Sequence, residues 1–444
     1  MKIFGNFIFY TTLVTCCIIK LSWATPVNSK SKSLNDDELE RLNGVMKEKF
    51  DTINYYVNWT DEEKENYIEE LKDRVSISAI DENFTTLYDY LEPNEKSIYN
   101  GIKEASKKEI PDFNFLADIT YSQEVINDST LFGTYFLKHI LTALMVFITE
   151  NPEYWWFYNF SSYNITETAY DENGDIKMTI MFYLTLKSNV NINRYVGNYT
   201  PTEIRDKNLE VVRMKNNVVS RIKSLGFKTN YGIMRYIHDF FSYRNVYNGD
   251  ENLDNIRTLW GALIDNNIVC EAYAEAVQLI AKEFGIECVT ARSVTHEWNF
   301  VKMDDGIWYI IDLTWDDSGF MDKAFNGEES PHSLNLFLTG TDEIAYGNVL
   351  YKDEVNHLLS TNWYDTTGET DYMTYPPISD KRYVPSEEEL EDVKKINEST
   401  FLFDQLPSCF ANNCTLENQS IVLDGNYCIG KLDNKIYKGL GWTM

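Results

Sequence analysis

Residues 260–289 read WGALIDNNIVCEAYAEAVQLIAKEFGIECV, and residues 293–317 read SVTHEWNFVKMDDGIWYIIDLTWDD. In the first stretch Ala272, Tyr273, Ala276, Val277, Ile280 and Phe284 recur at helical spacing, which predicts an amphipathic helix that Gly285 stops. Asn266 and Asn267 are good helix caps, so Cys270 is expected in or just before the first turn. Unpaired N–H groups at a helix start favour a thiolate over a thiol that otherwise titrates near ~8.5, and they can also stabilise an oxyanion.

The second stretch reads as two strands, THEWNFVKM and GIWYIIDLTW, joined through Asp304, Asp305 and Gly306. A three-residue loop with Gly306 left-handed pairs Met303 with Ile307, and it sets His296 opposite Thr314 and Trp298 opposite Asp312. His296 and Asp312 then share one face as diagonal neighbours. A two-residue loop would put them on opposite faces. Taken singly, Cys270 reads as a small buried residue, His296 as a satisfied strand histidine and Asp312 as a turn residue. Taken together they are a thiol to attack a carbonyl, an imidazole to take and return its proton, and a carboxylate to orient that imidazole.

Around this core the chain has 444 residues, enough for two or three domains, with 43% hydrophobic and 14% aromatic residues to fill them. A formal net charge of −29 leaves no basic stripe to attract phosphates, which argues against nucleic acid. The start, MKIFGNFIFYTTLVTCCIIKLSWATPV, has Lys2, an apolar run to Ile19 and small residues Ser22 and Ala24, the pattern of a secretory signal peptide ending near Ala24. No later segment is expected to span a bilayer. Asn58, Asn83, Asn127, Asn159, Asn164, Asn198, Asn397, Asn413 and Asn418 begin glycosylation sequons. Of the seven cysteines, Cys16 and Cys17 would leave with the signal. Cys288 reads as a core thiol, and Cys409, Cys414 and Cys428 are close enough for one local disulfide. The histidines lie scattered and no C-x-x-C pair exists, so neither a metal nor another cofactor is expected.

Residues from Asp36 to about Pro111 read as mostly helical and charged. A helix from Leu131 to Glu150 follows, and then strands on either side of a turn at 171–175. Tyr154, Trp155, Trp156 and Phe157 are either a sugar-stacking platform or core, with core favoured. Thr200, Pro201 and Glu203 start another helix, and GIMRYIHDFFSYRNVYN adds one more, on which His238 reads as a surface or packing residue.

The stretch from about Pro201 to Leu359 resembles the transglutaminase-like superfamily in its secreted or cell-surface branch. WGALIDNNIVCEAYAEAVQLIAKEFGIEC is similar to the family's Y-G-A-L, G-V-C-x-G-Y-A and G-I-x-C signals, HEWNFV to its H-A-W-N-x-V, and GIWYIIDLTWDD to its G-x-W-Y-x-V-D-x-T-W-D. RYIHDFFSYRNVYN, LNLFLTGTDEI and ENPEYWWF resemble flanking segments. The resemblance implies a papain-like α+β core, with a Cys-bearing helix packed on an antiparallel sheet that bears His and Asp. Cys270 would be the nucleophile, His296 the base and Asp312 the orienting acid. It includes crosslinking acyltransferases, deamidases, peptide N-glycanases and kyphoscoliosis-type peptidases. Ile268 and Ala272 stand where the family has glycine, which would tighten the approach to Cys270. Trp260 and Trp298 are weak candidates for the second oxyanion donor or a substrate contact.

The expected organisation is a signal peptide (1–24), a helical then β region (25–200), a catalytic domain (201–365), an acidic Pro-containing linker (366–400) and a small Cys-containing region (401–444). The expected function is secreted, thiol-dependent acyl transfer on protein or peptide amides, with cell-wall protein among the candidate partners. The alternative is a non-catalytic cell-surface binding protein that retains the fold.

Overall fold

Alternation and helical spacing give an α+β arrangement in which a three-stranded sheet over 113–184 and a four-stranded sheet over 288–339 are antiparallel and covered by helices, with other small sheets besides. The computed structural model describes residues 34–53, 81, 83–107, 113–157, 162–184, 199–248, 253–293, 296–317, 333–359 and 373–396, with strands at 421–424, 427–432 and 435–440. The signal-peptide and disulfide expectations lie outside the described residues, apart from Cys428 on one of those last strands. Asn83, Asn127 and Asn164, the sequon asparagines that are described, are exposed.

The N-terminal unit packs α1 (Asp36–Ile53), α2 (Pro93–Ser106), the short α3 (Gln123–Asn127) and α4 (Ser129–Glu150) with a sheet ordered β1-β3-β2. β2 (Ser162–Tyr170) and β3 (Ile176–Leu184) flank the expected turn. β1 (Phe113–Tyr121), which the sequence reading passed over, pairs with β3 along its full length. Its signal was period two: Phe115, Ala117, Ile119 and Tyr121 are buried while Leu116 and Asp118 face out.

α4 corrects one expectation, because by length and composition it could cross a membrane. In the fold most of it is buried as a core helix. The aromatic cluster that follows is core too, with Trp155, Trp156 and Phe157 at 0–2% exposure, which leaves no stacking platform for a sugar.

α5 (Pro201–Leu225) starts at Thr200 with a reciprocal Thr200–Glu203 cap and ends at Gly226 in the left-handed region (φ 62°). α6 (Asn230–Arg244) starts at Thr229, whose hydroxyl accepts the Gly232 N–H. α7 (Cys270–Lys282) lies across the second sheet, ordered β6-β7-β8-β9, with β6 at Cys288–Arg292, β7 at Glu297–Lys302, β8 at Trp308–Ile311 and β9 at Phe337–Thr339. The Asn299 side chain donates to the Ala274 carbonyl at 3.0 Å, and Gln278 to that of Cys288 at 3.3 Å, pinning helix to sheet.

The β7–β8 register runs from Asn299↔Ile311 to Lys302↔Trp308, Met303 N–H donates to Ile307 O at 3.0 Å, and Gly306 has φ 80°, as the three-residue loop requires. The strands end sooner than expected. The Asp312 carboxylate accepts the Trp315 N–H at 3.1 Å and caps a helical turn over residues 313–317, so Thr314 does not pair with His296.

The expected linker also needs correcting over its described part. Ile378 bridges to Trp308, Tyr383 N–H donates to Leu338 O at 2.9 Å, and Met373 and Tyr375 are buried. α8 (Glu387–Val393) places Asp392 where it accepts the N–H groups of Lys228 and Thr229. Residues 373–396 are therefore a strap across the sheet edge and the start of α6.

Trp155 joins the two units: its indole donates to Asn208 on α5 at 2.7 Å, and its ring lies 6.1 Å from that of Trp260. Trp155→Ala should destabilise the fold by about 3–5 kcal/mol, read as the urea midpoint by circular dichroism.

Candidate active site

Cys270 is the first residue of α7, but its helix start differs from the asparagine cap expected. Asn266 ends a π-helical turn (Gly261–Asp265) in the left-handed conformation with φ 75°, which asparagine tolerates. Asn267–Ile268 form β5, parallel to β4 (Val246–Tyr247). Val269 is the N-cap and makes no side-chain cap bond. Its own N–H donates to Ile256 O at 2.9 Å, which fixes the chain just ahead of the sulfur. The first amides of the helix thus lie beside Cys270 with no capping side chain from Val269 between.

His296 sits at the closed end of the β6–β7 hairpin. Its N–H donates to Ser293 Oγ at 2.9 Å, and its carbonyl accepts the Ser293 N–H at 2.8 Å. The imidazole Nε2 donates to Asp312 Oδ2 at 2.6 Å, so Nδ1 is left for the Cys270 thiol, which is within hydrogen-bonding reach of the ring. Cys270, His296 and Asp312 are all buried, so charges here interact in a low-dielectric setting. Burial alone would push the imidazole down, but Asp312 and then Cys270 outweigh it and hold His296 up to about 10. Burial would likewise raise the Asp312 carboxyl, and His296 and His357 instead hold it well below the usual carboxylate range.

His357 is the residue sequence reasoning missed most plainly. Its Nε2 donates to the same Asp312 Oδ2 at 2.8 Å, and its ring stacks on Tyr351 at 4.5 Å. No local spacing announces it, because it comes from a segment that returns to the sheet far along the chain. Trp298 lies nearly parallel to His296, with centroids 5.7 Å apart and an 18° interplanar angle, and is almost wholly buried. It therefore forms a wall beside the imidazole. Trp260 is taken up by Trp155 and by Lys207, whose ammonium lies 3.5 Å from its ring centroid. Ile268 and Ala272 are fully buried, and Ile268 packs on Gly261, so the glycine replacements add to the core and not to an exposed rim.

A second polar network supports the first. His238, read from sequence as surface or packing, is buried between Asp239 Oδ1 and Asp316 Oδ2, each 3.1 Å away. With a carboxylate at each nitrogen both must donate; burial opposes the charge, but the bonds to Asp239 and Asp316 raise the imidazole. Asp317 accepts the Tyr273 hydroxyl of α7. Asp312, Asp316 and Asp317 thus fasten one short turn to the His296 hairpin, to α6 and to α7. The partly exposed Tyr247 stands at the site: burial first, and then the nearness of Cys270 and Asp312, push its phenol up against the opposing pull of Arg257.

Cys288, the other described free thiol, is pushed up by burial alone. Iodoacetamide at pH 7 should therefore label Cys270 well ahead of Cys288, and Asp312→Asn should slow Cys270 labelling by removing the charge that holds the imidazolium, both read by peptide mass spectrometry. Equal labelling of the two thiols would contradict the geometry. Because the folded His296 titrates above its ordinary ~6.5, its contribution to stability is full below ~6.5 and is lost as pH rises through about 10.

No protein-family model and no curated protein sequence matches this chain, so the functional reading rests on the residues and their geometry.

Proposed function

We propose that this chain is a secreted thiol acyltransferase of the transglutaminase-like type, built on a papain-like core, that acts on amide groups of proteins or peptides. One observation carries the reading: a single imidazole stands between a helix-start thiol and a buried carboxylate, with its two nitrogens assigned to different partners. The motif order in residues 260–317 supports the same family. The covering of the β6–β9 sheet by α7 is the arrangement that such a core requires.

The chemistry follows from those positions. The Cys270 sulfur attacks the amide carbonyl, an S–C bond forms, and backbone amides at the start of α7 face the developing oxyanion. His296, an imidazolium at neutral pH, gives its proton to the departing nitrogen as the C–N bond breaks, leaving a thioester and a free amine or ammonia. An incoming amine or water then attacks the thioester while His296 takes its proton, and the sulfur leaves as thiolate. Amine attack gives crosslinking; water gives deamidation of a side chain or cleavage of a peptide bond. Asp312 keeps the imidazole oriented throughout and stabilises its charged form before the amine leaves and after the second attack, and His357 and Trp298 position that pair.

The test follows ammonia release, incorporation of a labelled primary amine into a glutamine-bearing protein, and proteolysis, each with wild type and Cys270→Ala. The expected result is one or more activities in wild type and none in the variant, with kcat/KM falling on the alkaline side near pH 10 as the imidazolium is lost. In Asp312→Asn that fall should move to lower pH. Silence of the wild type in all three assays, with Cys270 reduced and alkylatable, would replace this reading with a binding protein that keeps the fold.

A further inference from the structure

Away from the Cys270 site, the start of α2 meets the middle of α4 at Glu92, Glu95 and His139, each of which brings a donor atom within 4.8 Å of the others. Glu95 and His139 are 2% and 3% exposed, and Glu92 is the rim residue, about half exposed. Glu95 Oε2 accepts the Glu92 N–H at 2.7 Å, but Glu95 Oε1 makes no hydrogen bond of acceptable distance and angle. His139 Nε2 likewise makes no good hydrogen bond, and the hydroxyl of Thr142, one turn further along α4 and also buried, lies beside the Glu95 carboxylate. A buried carboxylate oxygen and a buried imidazole nitrogen that both lack a good hydrogen bond are costly to keep in one place unless something joins them.

The spacing separates this cluster from the hydrogen-bonded one at Asp312. His139 Nε2 and Glu92 Oε2 are 3.4 Å apart, too long for a good hydrogen bond. Two ligands on a tetrahedral ion with bonds of about 2.0–2.1 Å lie about 3.3–3.4 Å apart. At Asp312, the 2.6 and 2.8 Å distances to His296 and His357 leave room for protons and not for an ion. The other nitrogen of His139 is also arranged for ligation: Nδ1 lies 3.0 Å from the Tyr121 hydroxyl, which can accept its proton and leave Nε2 as the lone-pair side. Asn94 Nδ2 is 3.5 Å from the same Nδ1 and is held by the Thr120 carbonyl at 2.9 Å. Lys138 contacts Glu92 Oε1 at 2.8 Å, leaving Oε2 to face the histidine. We propose that Glu92, Glu95 and His139, with the Thr142 hydroxyl or a water as fourth ligand, form a binding site for a divalent ion of zinc's class that ties α2 to α4.

The test uses the full chain, stripped with chelator and with thiols alkylated so that cysteines cannot compete. Calorimetry with Zn2+ and the visible spectrum with Co2+ should show one tight equivalent with tetrahedral oxygen and nitrogen ligation, and a rise in Tm on metal addition. Glu92→Gln, at the half-exposed rim where folding is least at risk, should lose tight binding, as should Glu95→Gln and His139→Gln. Tyr121→Phe should weaken it by about tenfold through the imidazole it orients. No binding by the wild type overturns the proposal. So does binding that survives Glu92→Gln and His139→Gln, or binding that is lost only in His357→Gln, which would place the ion at the other cluster.

Discussion

The Asp312 carboxylate is fully buried, and it is held charged by two imidazoles that donate to Oδ2 while the Trp315 N–H donates to Oδ1. Taking the His296 imidazolium away leaves that charge without its cationic partner, a loss of about 3–5 kcal/mol for a buried pair. The rest of the site is arranged around that constraint. His296 must come from a hairpin whose turn is locked by Ser293, and His357 must return from a distant segment. The chain after β8 must curl so that Asp312 can cap its own turn. The same turn carries Asp316 and Asp317, which hold α6 through His238 and α7 through Tyr273. The helix that carries Cys270 and the hairpin that carries His296 are thereby fixed to one short piece of backbone, the kind of rigid support that a nucleophile and its base require.

The parts of this arrangement that were legible in sequence are those set by short-range rules. Gly306 in a three-residue loop dictated the β7–β8 register, and the spacing of Ala272, Tyr273, Ala276 and Val277 marked α7 as a helix, although it is buried all round from Cys270 to Ala281 and not on one face. Thr200 with Glu203 marked the start of α5. What failed did so where one local signal competed with another. Asn266 and Asn267 are both good caps and good left-handed turn residues, and closing the π turn used Asn266 for the second role. Asp312 could end a strand or cap a helix, and the cap prevailed, which cut β8 short. Proline and acidic residues over 373–396 read as a linker, but buried Met373 and Tyr375, the backbone contacts of Ile378 and Tyr383, and the Asp392 carboxylate bind that segment to the fold.

Pairings outside the stretch from Trp260 to Asp317 were not legible. Nothing near residue 357 in sequence indicates that its imidazole reaches Asp312, and nothing in Glu92, Glu95 or His139 taken singly distinguishes them from ordinary helix residues. The two clusters meet the same problem of buried polar groups in opposite ways. At Asp312 short hydrogen bonds satisfy the charge, while at His139 the facing atoms stand an ion's width apart.

The most direct measurement of the central claim is the 15N spectrum of the His296 ring at pH 8 in wild type and in Cys270→Ala. Coupling of thiol, imidazole and carboxylate predicts that both ring nitrogens are protonated in wild type, with titration near 10, and that removing the sulfur lowers that midpoint while the bond to Asp312 persists. A neutral ring in wild type, titrating near the ordinary ~6.5 and unchanged by the substitution, would contradict it.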